Sequence, residues 1–206
     1  MREFVAIPAD ERRRIRRAAF VASLPVLMGY VTMGFAAGVL IAVKGGLVHP
    51  AAWSALLAAS TVSGTLSFAI VPLVADSASL AAVAALTLGI NFRYAFYGFS
   101  MLGRWRGVPR LQKWFLVHSL ADEIYALDLA CRETDPLKHR LYCLWNHALN
   151  VSYWIVGTTS GALAGAALPI PSKGIEFAMV ALFIVILTDQ VVDFAARAKE
   201  RKANGK

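Results

Sequence analysis

An all-α integral membrane protein is the fold class this sequence predicts: a polytopic helical bundle of about six hydrophobic elements, with re-entrant or broken helices among them. Three observations predict it. Of 206 residues, 58% are hydrophobic and only 17% charged, against about 45–50% apolar usage in soluble domains. The apolar residues are gathered into stretches at 18–43, 51–74, 78–102, 146–168 and 174–194, each close to the ~20 helical residues that cross a bilayer core. Most basic residues punctuate the ends of those stretches, at 12–17, 104–113, 132–140 and 197–206, while Lys44 and Lys173 are single lysines in their loops.

The first element, 18–43, is preceded by "RRRIRR" and contains Pro25, Gly29, Gly34 and Gly38; no small-residue cleavage site ends a short apolar core, so it reads as a retained span rather than a signal peptide. The second, 51–74, is interrupted by "STVSGTLS" at 60–67, and the third, 78–102, carries Asn91 and Arg93. A fourth element, "WFLVHSLADEIYALDLAC" at 114–131, is shorter and more polar. The fifth, 146–168, opens with Asn146 and Asn150 and continues with Gly157, Gly161 and Gly165, a spacing that lets helix backbones approach. The sixth is 174–194. The expected organisation is a basic cytoplasmic segment at 1–17, a transmembrane domain at 18–194 and a basic cytoplasmic tail at 195–206.

Two threadings use the same six elements. Six full crossings put both termini in the cytoplasm but leave "GRWRGVPRLQK" on the outside, against the positive-inside rule. If instead 51–74 and 114–131 each leave by the side they enter, every basic cluster is cytoplasmic. Irregular backbone at such a depth is tolerated only where it is buried in protein or lines a watery cavity, and transporters use it at their binding sites.

The formal charge of +8 does not point to nucleic acid, because the basic residues are not laid on one face with interleaved aromatics. Cys131 and Cys143 match no metal or disulfide pattern, and no cofactor is expected. What needs explaining is polar residues inside apolar runs. An arginine at mid-membrane costs about 2.5–3.5 kcal/mol on insertion scales, so Arg93 must face the bundle interior or a cavity and find a partner among Asp122, Glu123, Asp128, Asp76 and Asp189. A structural ion pair and a substrate or proton-coupling role both satisfy that demand. Asn146 and Asn150, four apart, share a helix face and suit helix-to-helix hydrogen bonds or ligand contact. His118 and Asp122, also four apart, suit either a core histidine or a proton relay. His139 and His147, in or near a basic loop, are given no role.

Together these segments resemble one family. "LPVLMGYVTMGFAAGVL", "STVSGTLSFA", "INFRYAFYG", "LADEIYAL", "YWIVGTTSGALAGAALP" and "GIEFAMVALFIVILTDQ" are similar, in this order, to the successive motifs of AzlC-type branched-chain amino acid exporters. The resemblance implies a bacterial inner-membrane permease that exports leucine, isoleucine, valine or similar apolar amino acids, working with a small membrane subunit of the AzlD type. It places the substrate site at Ser63, Gly64, Thr65, Ser67, Phe68, Asn91 and Arg93, to which the polar face adds Asn150, and marks Asp122 and Glu123 as coupling or ion-pair groups, to which the spacing from Asp122 adds His118. Ser67 stands where the family often has glutamine and Ala121 where it often has threonine. On this reading Arg93 takes the substrate carboxylate, Asp122 or Glu123 the ammonium or a proton, and the Gly64 break offers backbone N–H groups. The rival classes are an intramembrane serine hydrolase, using Ser60, Ser63 or Ser67 with His118 or His147, which lacks a Gly-x-Ser-Gly setting, and a non-catalytic membrane scaffold.

Overall fold

The computed structural model describes Phe4, residues 6–46 and 48–168, and Ile184 and Thr188. The sixth apolar stretch, Asp189, Lys173 and the basic tail therefore lie outside the described residues, apart from Ile184 and Thr188, whose hydroxyl donates to the Ile184 carbonyl. The chain divides into two compact units, 1–168 and 169–206; the first holds every helix and every site described below.

All regular elements among the described residues of this unit are helical: α1 (Ala9–Lys44), α2 (Pro50–Thr61), α3 (Gly64–Ala75), α4 (Leu80–Met101), α5 (Arg110–His118), α6 (Asp122–Ala130) and α7 (Pro136–Ala167). α1 and α4 are long and apolar enough to cross a membrane. α1 begins nine residues before the apolar run, so its first turns carry the basic cluster, and its 36 residues reach ~54 Å against a ~30 Å core. α7 likewise begins ten residues before the 146–168 stretch, because Asp135 caps it by accepting from the Leu137 and Lys138 amides and Pro136 supplies a preset first turn. Asp135→Ala is expected to cost about 1 kcal/mol, visible as a lowered melting temperature of the purified protein, with Asp135→Asn near wild type.

The second stretch breaks where its polar interruption lies, but not at the glycine. Val62 turns the chain in the left-handed region (φ 42°, ψ 40°), a strained choice for a β-branched residue. Ser63 is extended and caps α3 through a 3.3 Å bond from the Leu66 amide. Gly64 is therefore the first residue of α3, not the break, and its N–H and that of Thr65 are first-turn donors. The fourth stretch also breaks: α5 starts back at Arg110, inside the basic loop, and ends at His118, and Ser119, Leu120 and Ala121 separate it from α6. Helices of 9 and 12 residues rise ~14 and ~18 Å, too short to cross alone.

α1 and α7 run parallel and form the spine. Gly34 lies against Gly157 and Thr158, Gly38 against Thr158 and Ala162, Gly161 against Phe35, and Gly165 against Val39 and Ala42, so the small-residue ladders bring two backbones into contact. Each broken pair returns its outer ends to one end of this spine. Trp53 and Leu57 of α2 and Ile70, Val71 and Val74 of α3 line an apolar cavity of about 170 Å³ with Ile41 and Gly45. At the opposite end Ala130 and Cys131 lie beside Ile15 and Ala18, and Met101, Trp105, Val108 and Leu116 share a buried cluster with Ile7, Ile15, Leu141 and Cys143. The loop after α4 thus sits at the same end as the basic N-terminal turns. There Lys138 pairs with Glu11 at 2.7 Å and Arg16 lies over Trp145.

Candidate site between two broken helices

The two breaks enter from opposite ends and meet beside the middle of the spine. His118, at the end of α5, is 2.8 Å through Nε2 from the carbonyl oxygen of Ala59, near the end of α2, and its ring stacks on Trp114. The second link is longer. The Ser63 hydroxyl accepts from the Tyr94 phenol at 3.4 Å, the Tyr94 oxygen accepts from Arg93 Nη2 at 3.3 Å, and Arg93 Nη1 pairs with Asp122 Oδ2 at 2.8 Å. Arg93 also stacks over the Tyr94 ring, 5.1 Å from its centroid.

Of five candidate carboxylates, Arg93 takes Asp122. The acid stands in the first turn of α6, where the helix N-terminus favours negative charge. Glu123 takes a different partner, accepting from the Tyr30 hydroxyl at 2.8 Å, and Tyr30 sets its ring edge against Trp154. Asp76 closes α3 and Asp128 is buried elsewhere.

The relay expected between His118 and Asp122 requires one continuous helix. The break at 119–121 removes the shared face, and His118 binds Ala59 instead. Ser67 and Phe68 are buried, the Ser67 hydroxyl donating back to the Ser63 carbonyl at 2.9 Å, and Thr65 is half-buried. Gly64 faces Trp154, whose ring would lie 3.4 Å from an added Cβ.

The site is not hydrogen-bonded to completion. Buried atoms without a partner include Asn91 Oδ1, Arg93 Nε, Asp122 Oδ1 and Trp154 Nε1. Such atoms ordinarily find partners, because an unpaired buried polar group costs about 1–3 kcal/mol. Here the donors suit a carboxylate and the acceptors an ammonium. Arg93 and Asp122 keep 39% and 36% of their side-chain surface open, so a ligand can reach the pair.

Asn150 belongs to a second network, in which the helix-to-helix bonding expected of Asn146 is present and the parts of Asp128, His147 and Ser119 were missed by sequence reasoning. Asn150 Nδ2 donates to Asn146 Oδ1 at 2.8 Å; Asn146 Nδ2 donates to Asp128 Oδ1 at 2.8 Å; and His147 Nε2 lies 2.9 Å from Asp128 Oδ2. The other ring nitrogen, Nδ1, is 2.8 Å from the Ser119 hydroxyl, which donates to the Phe115 carbonyl at 2.5 Å. Ser119, Asp128, Asn146, His147 and Asn150 are all fully buried. His147 is thus no loop residue: α7 starts at Pro136 and carries it into the core. An earlier helix start, read from Asp135-Pro136, was the signal that could have found it.

Comparison with known proteins agrees with the transporter reading. A family model described as AzlC protein matches residues 25–168. The branched-chain amino acid transport protein AzlC of Bacillus subtilis is 27% identical over 175 residues, 84% of this chain and 67% of that protein. Two proteins named only as uncharacterized membrane proteins are also similar: one from Haemophilus influenzae at 30% over 174 residues, covering 84% of this chain and 70% of that one, and one from Helicobacter pylori strain 26695 at 31% over 175 residues, covering 84% and 74%. No solved structure matches the chain.

Proposed function

This chain belongs to the AzlC family, and on that premise we propose that it exports branched-chain or similar apolar amino acids across the bacterial inner membrane, together with a small AzlD-type subunit. The observation that carries the proposal is the Arg93–Asp122 pair where the two broken helices meet, whose own Arg93 Nε and Asp122 Oδ1 are buried and unpaired. A zwitterionic amino acid offers a carboxylate to Arg93 and Trp154 and an ammonium to Asp122 and Asn91, and broken helices near mid-membrane are where transporters hold such ligands. The Bacillus relative, named for branched-chain amino acid transport, supports the substrate class.

The threading depends on which ends lie together. With the basic N-terminal turns in the cytoplasm, the loop after α4 is cytoplasmic too, so α2–α3 is re-entrant from outside and α5–α6 from inside, in accord with the positive-inside rule. The chain then reads as a long helix plus a re-entrant pair, repeated in inverted orientation, the arrangement found in many secondary transporters. The large apolar side chains that α4 exposes, Leu88, Phe92, Phe96 and Phe99, suit lipid or the small subunit.

The test is efflux from cells lacking their own exporters and loaded with dipeptides of leucine, isoleucine, valine or methionine. Amino acid is expected outside faster only when this chain and a candidate small partner are both expressed. No added efflux for any of the four, with both chains demonstrably in the membrane, refutes the proposal.

A further inference from the structure

We propose that Asp128 and His147 together hold a proton that this chain exchanges with solution in each transport cycle, and that Ser119 links that proton to movement of the α5–α6 break. The inference rests on the proposed transport function and extends it to a second site, distinct from Arg93.

The hydrogens in this network can be counted. From the Phe115 carbonyl to the Asp128 carboxylate there are three successive links, Phe115 O to Ser119 Oγ, Ser119 Oγ to His147 Nδ1, and His147 Nε2 to Asp128 Oδ2, of 2.5, 2.8 and 2.9 Å. Each needs one hydrogen. The serine hydroxyl supplies one and a neutral imidazole supplies one, so with the carboxylate ionised one link stays empty. A single added proton, placed on His147 or on Asp128, completes all three. The same proton makes the pair electrically neutral. Without it, a net negative charge sits where Asp128 and His147 are both fully buried, a state that is expensive in a low-dielectric interior.

Other titratable or charged groups surround the pair. Arg104, following α4, donates to the main-chain carbonyl of Asp128 at 3.4 Å, not to the carboxylate, so the balancing group for that carboxylate is His147. Cys131 at the end of α6 and His139, Tyr142 and Cys143 on α7 are in electrostatic reach of Asp128. Trp105 and Phe115 close the other sides of the imidazole.

The placement supplies the coupling. Ser119 is the first residue of the α5–α6 break, and Asp122, three residues on, begins α6 and grips Arg93. One short non-helical turn therefore joins the hydrogen-bonded proton to the amino acid site. Loss of the proton removes a link at Ser119, and movement of the turn for substrate passage exposes the pair to water. A Ser–His–Asp order also suggests a nucleophile, but this hydroxyl donates to a helix carbonyl and is fully buried.

The purified full chain tests the proposal with neither substrate nor partner. Histidine ¹⁵N spectra, with His147 assigned by His147→Gln, and the infrared carboxyl band of Asp128, assigned by Asp128→Asn, are recorded as the pH is varied. One of the two groups is expected to change protonation in a single one-proton step, unaltered in Glu123→Gln; no change in either group overturns the proposal. In vesicles containing the small partner, Asp128→Asn is expected to retain exchange of labelled amino acid while losing ~10-fold or more of the accumulation driven by a pH gradient. Wild-type accumulation in Asp128→Asn overturns the coupling role, as does labelling of Ser119 by a serine-reactive phosphonate. Should Asp128→Asn fail to assemble, Ser119→Ala keeps both titrating groups and is expected to show the one-proton step with weakened coupling. If the wild type neither exchanges nor accumulates any amino acid, the transport reading fails, and the spectra still decide whether the pair carries the proton.

Discussion

Arg93→Gln is expected to lower amino acid efflux by ~10- to 100-fold at unchanged protein level, the equivalent of one charge-assisted hydrogen-bonding partner at ~1.5–3 kcal/mol. The substitution leaves Asp122 without its cation, so loss of activity alone does not separate a substrate site from a structural ion pair. The double variant Arg93→Gln with Asp122→Asn does. It removes both charges and keeps similar shapes, and replacing a whole ion pair is far better tolerated than orphaning one member. The double variant is expected to match the wild type in thermal stability and still to lack efflux. Recovery of efflux in the double variant would reduce the pair to a helix tether. Because both side chains are about one-third open, the stability effect of the single variant is expected to be small.

The largest stability effect is expected at the α1–α7 seam. A Cβ on Gly38 would overlap the Thr158 carbonyl oxygen and lie 2.6 Å from the Ala162 nitrogen, and one on Gly161 would overlap the Phe35 carbonyl oxygen. The obstructing atoms are backbone, so neither can swing aside and the helices must separate along a shared length. Gly38→Ala and Gly161→Ala are each expected to cost upward of about 3 kcal/mol, beyond ordinary overpacking, and to lower the melting temperature by roughly 10 °C. Gly29→Ala and Gly89→Ala, with nothing within 4 Å of the added carbon, are the matched controls and are expected to melt with the wild type or slightly above it. Equal melting of all four variants would mean that the seam is not held by backbone contact.

Both results bear on a division of labour between the two polar networks. The Arg93 pair is partly open and joins the inner part of α4 to the first turn of α6, as befits a place that a substrate enters and leaves. The Asp128–His147 pair is closed on every side and hydrogen-bonded through Asn146, Asn150 and Ser119. What joins them is the three-residue turn at 119–121 together with α6, which carries both Asp122 and Asp128.

The sequence by itself determined the membrane class, the apolar elements and the presence of an interruption in the second, because hydrophobic run length and charge placement are local properties that the bilayer reads directly. It also placed Arg93 off the lipid, since one arginine in an apolar helix has nowhere else to go. It did not determine which carboxylate pairs with it. Five were compatible, and the choice of Asp122 depends on the break in the fourth element, which puts that acid at a helix N-terminus facing α4. The same break separates His118 from Asp122, a pairing that helical spacing alone suggested. Val62 rather than Gly64 takes the left-handed turn because Ser63 caps the next helix, a trade between local strain and a hydrogen bond that composition does not display. The buried Asp128–His147 pair was decided by tertiary structure alone: its members lie 19 residues apart on different helices, and only the packing of α6 against α7 makes a core pair of two residues that each, in sequence, stand near a charged loop.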